Sequence, residues 1–527
     1  MAAKKTMFSK ISRRDLLKGF ATTPVLALFT YDFWKQRAYN KIKDKAIRSE
    51  LGLNNKAPAV MSKTSMNKSG EVIKIGLIGC GVRGVQLLKS AGFAEKSWYD
   101  NQVKGVNNNE LASKNRLQTY FNQPDLNVVV TGICDVFDNH AERGIDIAKN
   151  GINPEGSAVG LGEVKRYKTY NELVNSKDVD AVVIATPDFH HAQMAIDAAK
   201  AGKHIYCEKA MTLTEDEMNE VVKAVKQSGV VFQLGNQNSK SAAANKAREI
   251  ISKDILGKVT LIETTTNRNT KNGAWIRHLD GTGNPKPGSA KTIDWEQWLG
   301  NTERVPFSIE RFYGWARWFA YDTGLAGQLF SHEIDAVNQV MGFGIPRSVV
   351  SSGGIYFHKE PRDMPDTFNS VLEFPDREFT MIYSASLANS KYRGRVFMGH
   401  DASMEEGGKV RIIPNGDSTR YADKIKNGLI NPGETLFEYP NPNERVDGIS
   451  SASEKYYADR GLIDTIFEGK NIDVTHLHFK DWIDVIRNGG ETGCNIDKAY
   501  INTVAVHMVH RSYVEGRKVE WDPIKKK

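Results

Sequence analysis

The chain has 527 residues, 40% hydrophobic and 25% charged, which is the composition of an ordinary globular protein and a length that predicts at least two domains. Its net charge of +8 is concentrated in residues 1–70, which carry 15 Lys/Arg and 4 Asp/Glu. The remaining residues carry 56 Lys/Arg and 59 Asp/Glu. This slight acidic excess argues against a nucleic-acid partner. The four cysteines (80, 134, 207 and 494) are too scattered for a disulfide framework, and without a C-x-x-C pair they do not suggest a zinc site.

The first 31 residues have the character of a targeting segment. Residues 12–18 (SRRDLLK) match the twin-arginine export pattern, and the mildly apolar residues 19–31 are too few for an ordinary membrane span. This predicts a periplasmic protein, exported already folded; a leader that is not cleaved would tether it to the membrane. The alternative is a basic amphipathic start to a cytoplasmic protein. Residues 32–70 are basic and polar and predict a linker.

The stretch around which the chain is organised is EVIKIGLIGCGVRGVQLLKS, residues 71–90. An apolar run typical of a parallel strand covered on both faces leads into Gly79, Gly81 and Gly84 in G-x-G-x-x-G spacing, and an apolar helical pattern follows. Such glycines permit a tight turn, close approach of a pyrophosphate, and packing of helix on strand, while the helix N-terminus offers N–H groups to phosphates. The stretch predicts a dinucleotide site; the alternative is a glycine-rich turn in another α/β protein.

Asp135 ends the second predicted strand, residues 127–134. A carboxylate there accepts hydrogen bonds from the adenosine ribose and repels a 2′-phosphate, which favours NAD, with NADP still possible. The distance from Gly84 to Asp135 is 51 residues rather than the usual ~20, so residues 91–124 are expected to hold a helix and an insertion. The alternative role of Asp135 is a helix N-cap.

The alternation of strand and helix continues to about residue 237. Further strands are predicted at residues 180–186, 203–207 and 230–234, and an amphipathic helix at 215–228. The carboxyl ends of parallel strands share one edge of a sheet, and ligands bind outside that edge. Polar residues after these strand ends are therefore candidate site residues; beyond those above they are Thr186, Pro187, His190, Glu208, Lys209 and Gln237.

The ordered set of motifs resembles the glucose–fructose oxidoreductase / inositol dehydrogenase / rhizopine catabolism (Gfo/Idh/MocA) family. The matching stretches are IGLIGCGVRG, ICD, ATPDFHH, CEKA, GNQ, AGQLFSHEID, HFKDWIDVIRNG and GRKVEWDP. The resemblance spans residues 71–524 and adds Arg83 to the cofactor-binding residues. It implies an α/β protein with an NAD(P)-binding Rossmann domain at residues 71–237 and, at 238–527, an α/β domain on a large, open, mostly antiparallel sheet. It also implies a dimer or tetramer.

The second half of the chain, taken by itself, agrees with this architecture. Strands are predicted at residues 259–267, 349–357, 368–374, 378–387 and 395–399, with turn residues between some of them that indicate hairpins. An apolar exposed sheet face is commonly buried between subunits, so a homo-oligomer is expected. Residues 401–453 are polar and turn-rich and are expected to be an insertion.

In the family, the lysine of an E-K-P motif and the histidine of a D-x-G-x-H-x-x-D motif react with the substrate, and the resemblance carries these roles to Lys209 and His332. Lys209 would donate to the substrate oxygen, and His332, with an ordinary pKa near neutrality, would take the hydroxyl proton as hydride leaves. The alternatives are a solvated lysine and a core or capping histidine. His190 is expected to position the cofactor loop rather than to react.

Ala210 and Gln328 depart from the family pattern. Ala210 replaces the proline after Lys209, so the restricted peptide usual there is not assured. Gln328 replaces the first aspartate of the second motif, which the family often uses to position the substrate hydroxyl or relay its proton. Glutamine forms hydrogen bonds but does not accept a proton at neutral pH. Asp335 keeps the last aspartate and is expected to be structural.

No metal site is predicted. His332 and Glu333 do not start a zincin motif, because position 336 is alanine. No third ligand accompanies the two other histidine pairs, His476 with His478 and His507 with His510.

Aromatic residues precede the motif that contains His332. Aromatic planes stack on the C–H faces of sugar rings, so residues 311–318 (RFYGWARW) and the glycine-rich residues 267–292, which include Trp275, Arg277 and His278, are candidates for the substrate side. For Trp295 and Trp298, packing between domains is the preferred interpretation.

The sequence therefore predicts an exported NAD(P)-dependent oxidoreductase that acts on a sugar, sugar acid or glycoside. A second hypothesis is a glycosidase of this family, which keeps NAD bound, oxidises C3 transiently, eliminates the aglycone, adds water and reduces the ring again. Gln328 is compatible with such altered chemistry. A third is a non-catalytic sugar-binding relative.

Overall fold

The computed structural model describes residue 51 and residues 72–159, 162–269, 277–279, 284–439, 464–467 and 470–522. The predicted leader, nearly all of the predicted linker, and Trp275 lie outside the described residues. Within the described ranges, no helix combines the length and the apolar character needed to cross a membrane.

The predicted parallel Rossmann sheet is confirmed. It has six strands in the order β3-β2-β1-β4-β5-β6. The strands are β1 (Ile73–Ile78), β2 (Val128–Cys134), β3 (Lys165–Tyr167), β4 (Ala181–Ile184), β5 (His204–Cys207) and β6 (Phe232–Leu234). The strand order reverses between β1 and β4, which is the switch point where such sheets bind ligands. Of these six strands only β3 was not predicted, because its sequence KRY contains no apolar run.

Both faces of this sheet are covered, as the continuous apolar strands require. In β4, Val182 and Ile184 pack in one core while Ala181 and Val183 pack in another. The helices of this half are α1 (Val82–Ser90), α2 (Lys96–Asn107), α3 (Leu111–Phe121), α4 (Asp138–Asn150), α5 (Tyr170–Val174), α6 (His191–Lys200), α7 (Glu215–Ser228) and α8 (Ala242–Ser252). The extra length before Asp135 is therefore mostly two helices, α2 and α3.

The C-terminal domain is built on a nine-stranded sheet in the order β14-β13-β12-β11-β7-β10-β9-β8-β17. Only β7 and β10 pair in parallel; the other neighbours are antiparallel, as expected. The strands are β7 (Val259–Asn267), β8 (Ser348–Gly354), β9 (Thr367–Phe374), β10 (Phe379–Ser386), β11 (Arg395–Gly399), β12 (Ala402–Glu406), β13 (Val410–Pro414), β14 (Phe437–Tyr439) and β17 (Val519–Glu520). Burial alternates along β10, so one face packs on the core and the other faces outward.

The prediction that residues 401–453 form an insertion is wrong for the part that is described. This part contributes β12, β13 and β14 to the nine-stranded sheet. Each of these strands has only three to five residues, and polar turns separate them, so their alternation is too short to stand out in the sequence. Residues 440–453 lie outside the described residues.

A helical part near the end of the chain returns to the Rossmann domain before β17 joins the nine-stranded sheet. The remaining elements are α9 (Trp295–Leu299), α10 (Ile309–Tyr313), α11 (Ser331–Met341), α12 (Ala422–Lys426), β15 (Asp464–Phe467), β16 (Lys470–Asp473), α13 (Val474–Asn488) and α14 (Ile496–Glu515). Phe479, Trp482 and Ile483 of α13 share a core with the residues of β1. A π-helical turn, Ala326–Phe330, runs directly into α11 and brings the predicted second motif to the strand ends.

Candidate active site

The three glycines of the first turn have different surroundings. Gly79 has φ +87°, and a Cβ there would lie 2.7 Å from the carbonyl oxygen of Ala185. A Cβ on Gly84 would lie 2.2 Å from Gly79 O, so Gly84 allows α1 to pack on the turn. A Cβ on Gly81 would meet nothing nearer than His140 Cε1 at 4.0 Å. Gly81 therefore leaves open space in front of the backbone, as the approach of a pyrophosphate requires.

Asp135 is tied to this turn. Its Oδ2 accepts a hydrogen bond from Cys80 N at 2.6 Å, and its Oδ1 accepts one from Phe137 N at 2.8 Å. The N-cap of α4 is Phe137, so Asp135 is not the cap residue. Asp135 lines the same cavity as Gly79 and Gly81, where its carboxylate can meet an adenosine ribose.

The strand ends and the C-terminal domain enclose a cavity of about 1680 Å³. This exceeds the ~300–1000 Å³ of a pocket for one drug-sized ligand, so a dinucleotide and a second molecule can share it. The sequence-predicted site residues that line it are Gly79, Gly81, Arg83, Asp135, Thr186, Pro187, His190, Glu208, Lys209, Gln237, Gln328 and His332. Gly84 lies beneath the turn, outside the lining.

Arg83 connects the glycine turn to the end of β5. Arg83 Nε lies 2.6 Å from Glu208 Oε1, and Arg83 Nη2 lies 3.5 Å from Gln237 Oε1. Burial opposes the charge on Arg83, yet the attraction of Glu208 raises the pKa of the guanidinium above its ordinary value. The ion pair therefore fixes the chain just before Lys209.

Lys209 lies at the bottom of the cavity, and the Lys209–Ala210 peptide is cis although it lacks proline. Lys209 Nζ donates to Gln328 Oε1 at 3.2 Å and approaches the Gln328 carbonyl oxygen at 3.4 Å. Burial lowers the pKa of Lys209, while the neighbouring carboxylates Asp188, Glu208 and Asp322 oppose that shift. The lysine is thus a half-buried amine surrounded by counter-charge rather than a solvated surface group.

His332 lies in the first turn of α11 and also faces the cavity. Burial lowers the pKa of His332 well below its ordinary value, and the positive charges of Lys209 and Arg268 lower it further. The imidazole is consequently neutral near pH 7 and has a lone pair available for a proton.

Two carboxylates that sequence analysis did not assign to the site surround Gln328. Its Nε2 lies 3.0 Å from Asp188 Oδ2 and 3.2 Å from Asp322 Oδ1. Asp188 lies in ATPDFHH, the stretch that follows a predicted strand end, so this position could have identified it as a site residue. Asp322 follows no strand end, and its role depends on the folding of the C-terminal domain against β4.

The aromatic side chains of Trp295 and Trp298, in the segment before the π turn, form a wall, which we call the aromatic wall. The rings of Trp295 and Trp298 are stacked, with centroids 4.4 Å apart, and both are buried, which agrees with the packing interpretation. His190 Nε2 donates to Trp298 O at 2.8 Å and so joins the Rossmann domain to this wall. Burial lowers the pKa of His190 to about 4, so it is neutral at pH 7.

The histidine pairs contact protein groups. His476 Nδ1 lies 2.7 Å from Ser90 O, His478 Nε2 lies 2.8 Å from Leu234 O, and His507 Nε2 lies 2.9 Å from Thr212 Oγ1. In the part of the chain that the structure describes, no three His, Cys, Asp or Glu side chains are grouped so that they could hold a metal ion.

Two family models match the chain. One, described as "Oxidoreductase family, NAD-binding Rossmann fold", matches residues 73–236, and the other, described as "Oxidoreductase family, C-terminal alpha/beta domain", matches residues 289–521. Together they cover about three quarters of the chain.

Several curated relatives carry sugar-related names. The 2,7-anhydro-N-acetylneuraminate hydratase of Escherichia coli is 27% identical over 262 residues, which is 49% of this chain and 58% of the relative. The D-xylose 1-dehydrogenase (NADP(+)) of Hypocrea jecorina is 31% identical over 139 residues, 26% of this chain and 36% of the relative. The matched part of the chain spans about half the length, or less, of such relatives.

Among solved structures, a levoglucosan dehydrogenase in complex with NADH and levoglucosan aligns with a TM-score of 0.54. It is 17% identical to this chain, and the alignment covers 85% of this chain and 99% of the dehydrogenase. At this identity the likeness shows a shared fold.

Proposed function

The chain belongs to the Gfo/Idh/MocA oxidoreductase family, whose NAD-binding Rossmann domain and C-terminal α/β domain it carries, and we propose that it is an exported NAD(P)-dependent enzyme that oxidises a sugar, sugar acid or glycoside by hydride transfer. The observation that carries this proposal is that Lys209 and His332 line one cavity together with the glycine turn.

Hydride transfer from a C–OH group needs a hydride acceptor, a base for the hydroxyl proton and a donor to the oxygen on which charge develops. Bound NAD(P) supplies the acceptor. The neutral imidazole of His332 takes the proton, and Lys209 donates a hydrogen bond to the same oxygen. The lowered pKa of His332 supports this division of roles, because a histidine that is already protonated is no base.

The residues around the glycine turn fit a dinucleotide. The open space in front of Gly81 leaves its backbone accessible to a pyrophosphate, and Asp135 stands at the end of β2 to accept from the ribose hydroxyls. A 2′-phosphate would be repelled by this carboxylate, so NAD is the preferred cofactor. NADP remains the alternative, and one relative, the xylose dehydrogenase, is named for it.

The cavity supports a polar or acidic carbohydrate as the second ligand. Three cationic side chains from the C-terminal domain line it, namely Arg268, Arg277 and Lys286. These can hydrogen-bond sugar hydroxyls and attract a carboxylate, which favours a sugar acid among the proposed substrates.

Export and assembly are further parts of the proposal. The twin-arginine pattern at residues 12–18 supports periplasmic export with the cofactor already bound, and a retained leader would tether the protein to the membrane. The outward face of the nine-stranded sheet supports a homo-oligomer. On it, Val350 and Val371 are directly paired across two strands and are 47% and 40% exposed.

A glycoside hydrolase or anhydro-sugar enzyme that recycles tightly bound NAD is the second candidate. Gln328, which replaces the expected carboxylate, favours it, as does the name of the Escherichia coli relative, a hydratase. Such an enzyme does not need the two-carboxylate arrangement of ordinary glycosidases.

One experiment separates the candidates. The protein is purified without added nicotinamide, any cofactor released on denaturation is identified, and the protein is then offered free sugars, sugar acids and aryl glycosides with NAD. Net NADH formation from free sugars or sugar acids supports the dehydrogenase. Aglycone release without net NADH supports the glycosidase and contradicts the first proposal.

A further inference from the structure

We propose that Asp188 and Asp322 form a carboxyl pair that shares one proton, and that this pair, bridged to Lys209 by Gln328, replaces the carboxylate that the family motif has at position 328. The pair acts through Lys209, so both aspartates are positioning residues. The inference rests on the proposed function only in taking Lys209 as the donor to the substrate oxygen.

The first argument is the geometry of the Gln328 amide. Its Oε1 accepts from Lys209 Nζ at 3.2 Å, while its Nε2 faces Asp188 Oδ2 and Asp322 Oδ1 at 3.0 and 3.2 Å. An ammonium only donates, so Lys209 faces the amide oxygen, and this leaves the amide NH2 group to face the two carboxyl groups. One side chain thus links the lysine to both carboxyl groups.

The second argument is burial. Asp188 and Asp322 are 2% and 1% exposed, and their nearest oxygens lie within hydrogen-bond distance of the same nitrogen. Asp322 Oδ1 also accepts from Thr323 N at 2.7 Å, but no donor among the described residues reaches Asp322 Oδ2. Two buried carboxylates this close do not both ionise, so one holds a proton. Burial raises the pKa of both groups, and that of Asp322 is raised well above its ordinary value.

The third argument is the balance of charge. Glu208 is neutralised by Arg83, which leaves Lys209 to face the carboxyl pair. The other charged or titratable groups nearby are Arg268, Arg277 near Asp322, His191 and Cys207 near Asp188, and His332. A pair with one proton still carries one negative charge, and the Gln328 amide connects this charge to Lys209.

These arguments explain why position 328 is glutamine. A buried lysine tends to lose its proton, and the single charge of the pair keeps Lys209 an ammonium that can donate to the substrate oxygen. A third carboxylate at position 328 would add repulsion to a pair that already shares a proton. An amide satisfies both carboxyl groups and the lysine without adding charge.

The test compares Asp188→Asn, Asp322→Asn and the double variant in the full-length protein. The rate at which acetic anhydride acetylates Lys209 is measured against pH by peptide mass spectrometry. Exposed Lys200 serves as the internal reference, and Asp178→Asn, an exposed substitution, is the matched control. The midpoint of the labelling curve reports the pKa of Lys209 without any turnover, so it remains informative even if no sugar is oxidised and the proposed function fails.

A shared proton predicts strongly non-additive results. Each single variant leaves one carboxyl that ionises, so the Lys209 midpoint should shift by less than about 0.5 pH unit, whereas the double variant should lower it by about one unit or more. The alkaline limb of kcat/KM, where activity is measurable, should move in parallel. A drop of about one unit in both single variants would mean two separate charges and would overturn the proposal.

An unchanged midpoint in a folded double variant would overturn the proposal as well, because the pair would then carry no charge. Folding is checked by circular dichroism and NADH binding. Should the double variant not fold, Asp188→Asn combined with Asp322→Ser, which places a smaller hydroxyl at position 322, provides the same comparison.

Discussion

Arg395 of β11 pairs with Glu333, the residue that follows His332 in α11, with Arg395 Nε 2.7 Å from Glu333 Oε2. Glu406 of β12 contacts the same guanidinium. Burial opposes the charge on Arg395, but attraction to the two carboxylates raises its pKa well above the ordinary value. The nine-stranded sheet therefore anchors the helical turn that carries His332 through a buried ion pair.

Replacing this arginine should be costly. Arg395→Met removes the guanidinium that pairs with the buried Glu333 and Glu406, which should lower the free energy of unfolding by about 3–5 kcal/mol. Urea denaturation followed by circular dichroism measures the change. Arg411→Met is the matched control, since Arg411 is 45% exposed in its ion pairs and should cost less than about 1 kcal/mol. Similar losses in both variants would contradict an anchoring role for Arg395.

Two alanine substitutions in the glycine turn should affect different properties, one the stability of the fold and the other the binding of NAD. Gly84→Ala brings a Cβ to 2.2 Å from Gly79 O, so it should lower the free energy of unfolding by about 1–3 kcal/mol. Gly81→Ala meets only open space in the free protein and should leave stability within about 0.5 kcal/mol. It should still weaken NAD binding about tenfold or more, because the methyl group occupies the path of the pyrophosphate. Thermal melts and cofactor titrations measure the two effects; unchanged NAD affinity in Gly81→Ala would place the pyrophosphate elsewhere.

The parts of the fold that sequence predicted are those with local signals. The apolar run of β1 and the spacing of Gly79, Gly81 and Gly84 lie within one short stretch, and the strands of β7 and β11 are predicted to the residue. The contact of Asp188 with Gln328 has no such signal, because the two residues are 140 positions apart. It arises where the turn before α11 packs against the end of β4, so two distant parts of the chain determine it.

Lys209→Met should abolish most of the activity while leaving the cofactor bound. Removing a positioned donor at the reacting oxygen should lower kcat by about 10²–10⁴-fold, whereas NADH affinity should change by less than about threefold, since the glycine turn and Asp135 are untouched. Steady-state kinetics and fluorescence titration measure the two quantities. Lys200→Met, an exposed change on α6, should match the unaltered protein. Full activity in Lys209→Met would remove the catalytic assignment.

His507 should make the protein less stable in acid. Burial lowers the pKa of His507 to about 3, so the unfolded chain, with an ordinary histidine pKa near 6.5, takes up the proton first. Stability from this group is present above pH 6.5 and is lost as pH falls towards 3. His507→Gln, which retains a partner for Thr212, should reduce the loss between pH 6.5 and 5 by about 1.5–2 kcal/mol. Urea titrations at both pH values measure this loss, and His400→Gln, an exposed substitution, is the control. If His507→Gln lost as much stability between pH 6.5 and 5 as the unaltered protein, that would contradict a buried neutral His507.

Gln328→Glu should impair the enzyme, although it restores a carboxyl group at the position where the family motif has one. The new oxygen would face Asp188 and Asp322 in place of the Nε2 that now donates to both. Three buried carboxyl groups around one lysine must take up additional protons, because like charges at this distance raise one another's pKa. The variant should therefore lose about tenfold or more in kcat near pH 7.5 and lie below the unaltered protein in melting temperature.

The direction in which the melting temperature of Gln328→Glu changes with pH distinguishes charge repulsion from a purely steric effect of the substitution. The pKa of the added carboxyl is raised in the folded state, so protonation favours folding, and the deficit in melting temperature should shrink as pH falls from about 8 to 5.5. Gln328→Met, similar in size but uncharged, is the matched control and should show a deficit that does not vary in this way. A Gln328→Glu variant with unimpaired or higher activity at pH 7.5 would mean that position 328 accepts a carboxylate and that the Asp188–Asp322 pair does not replace it.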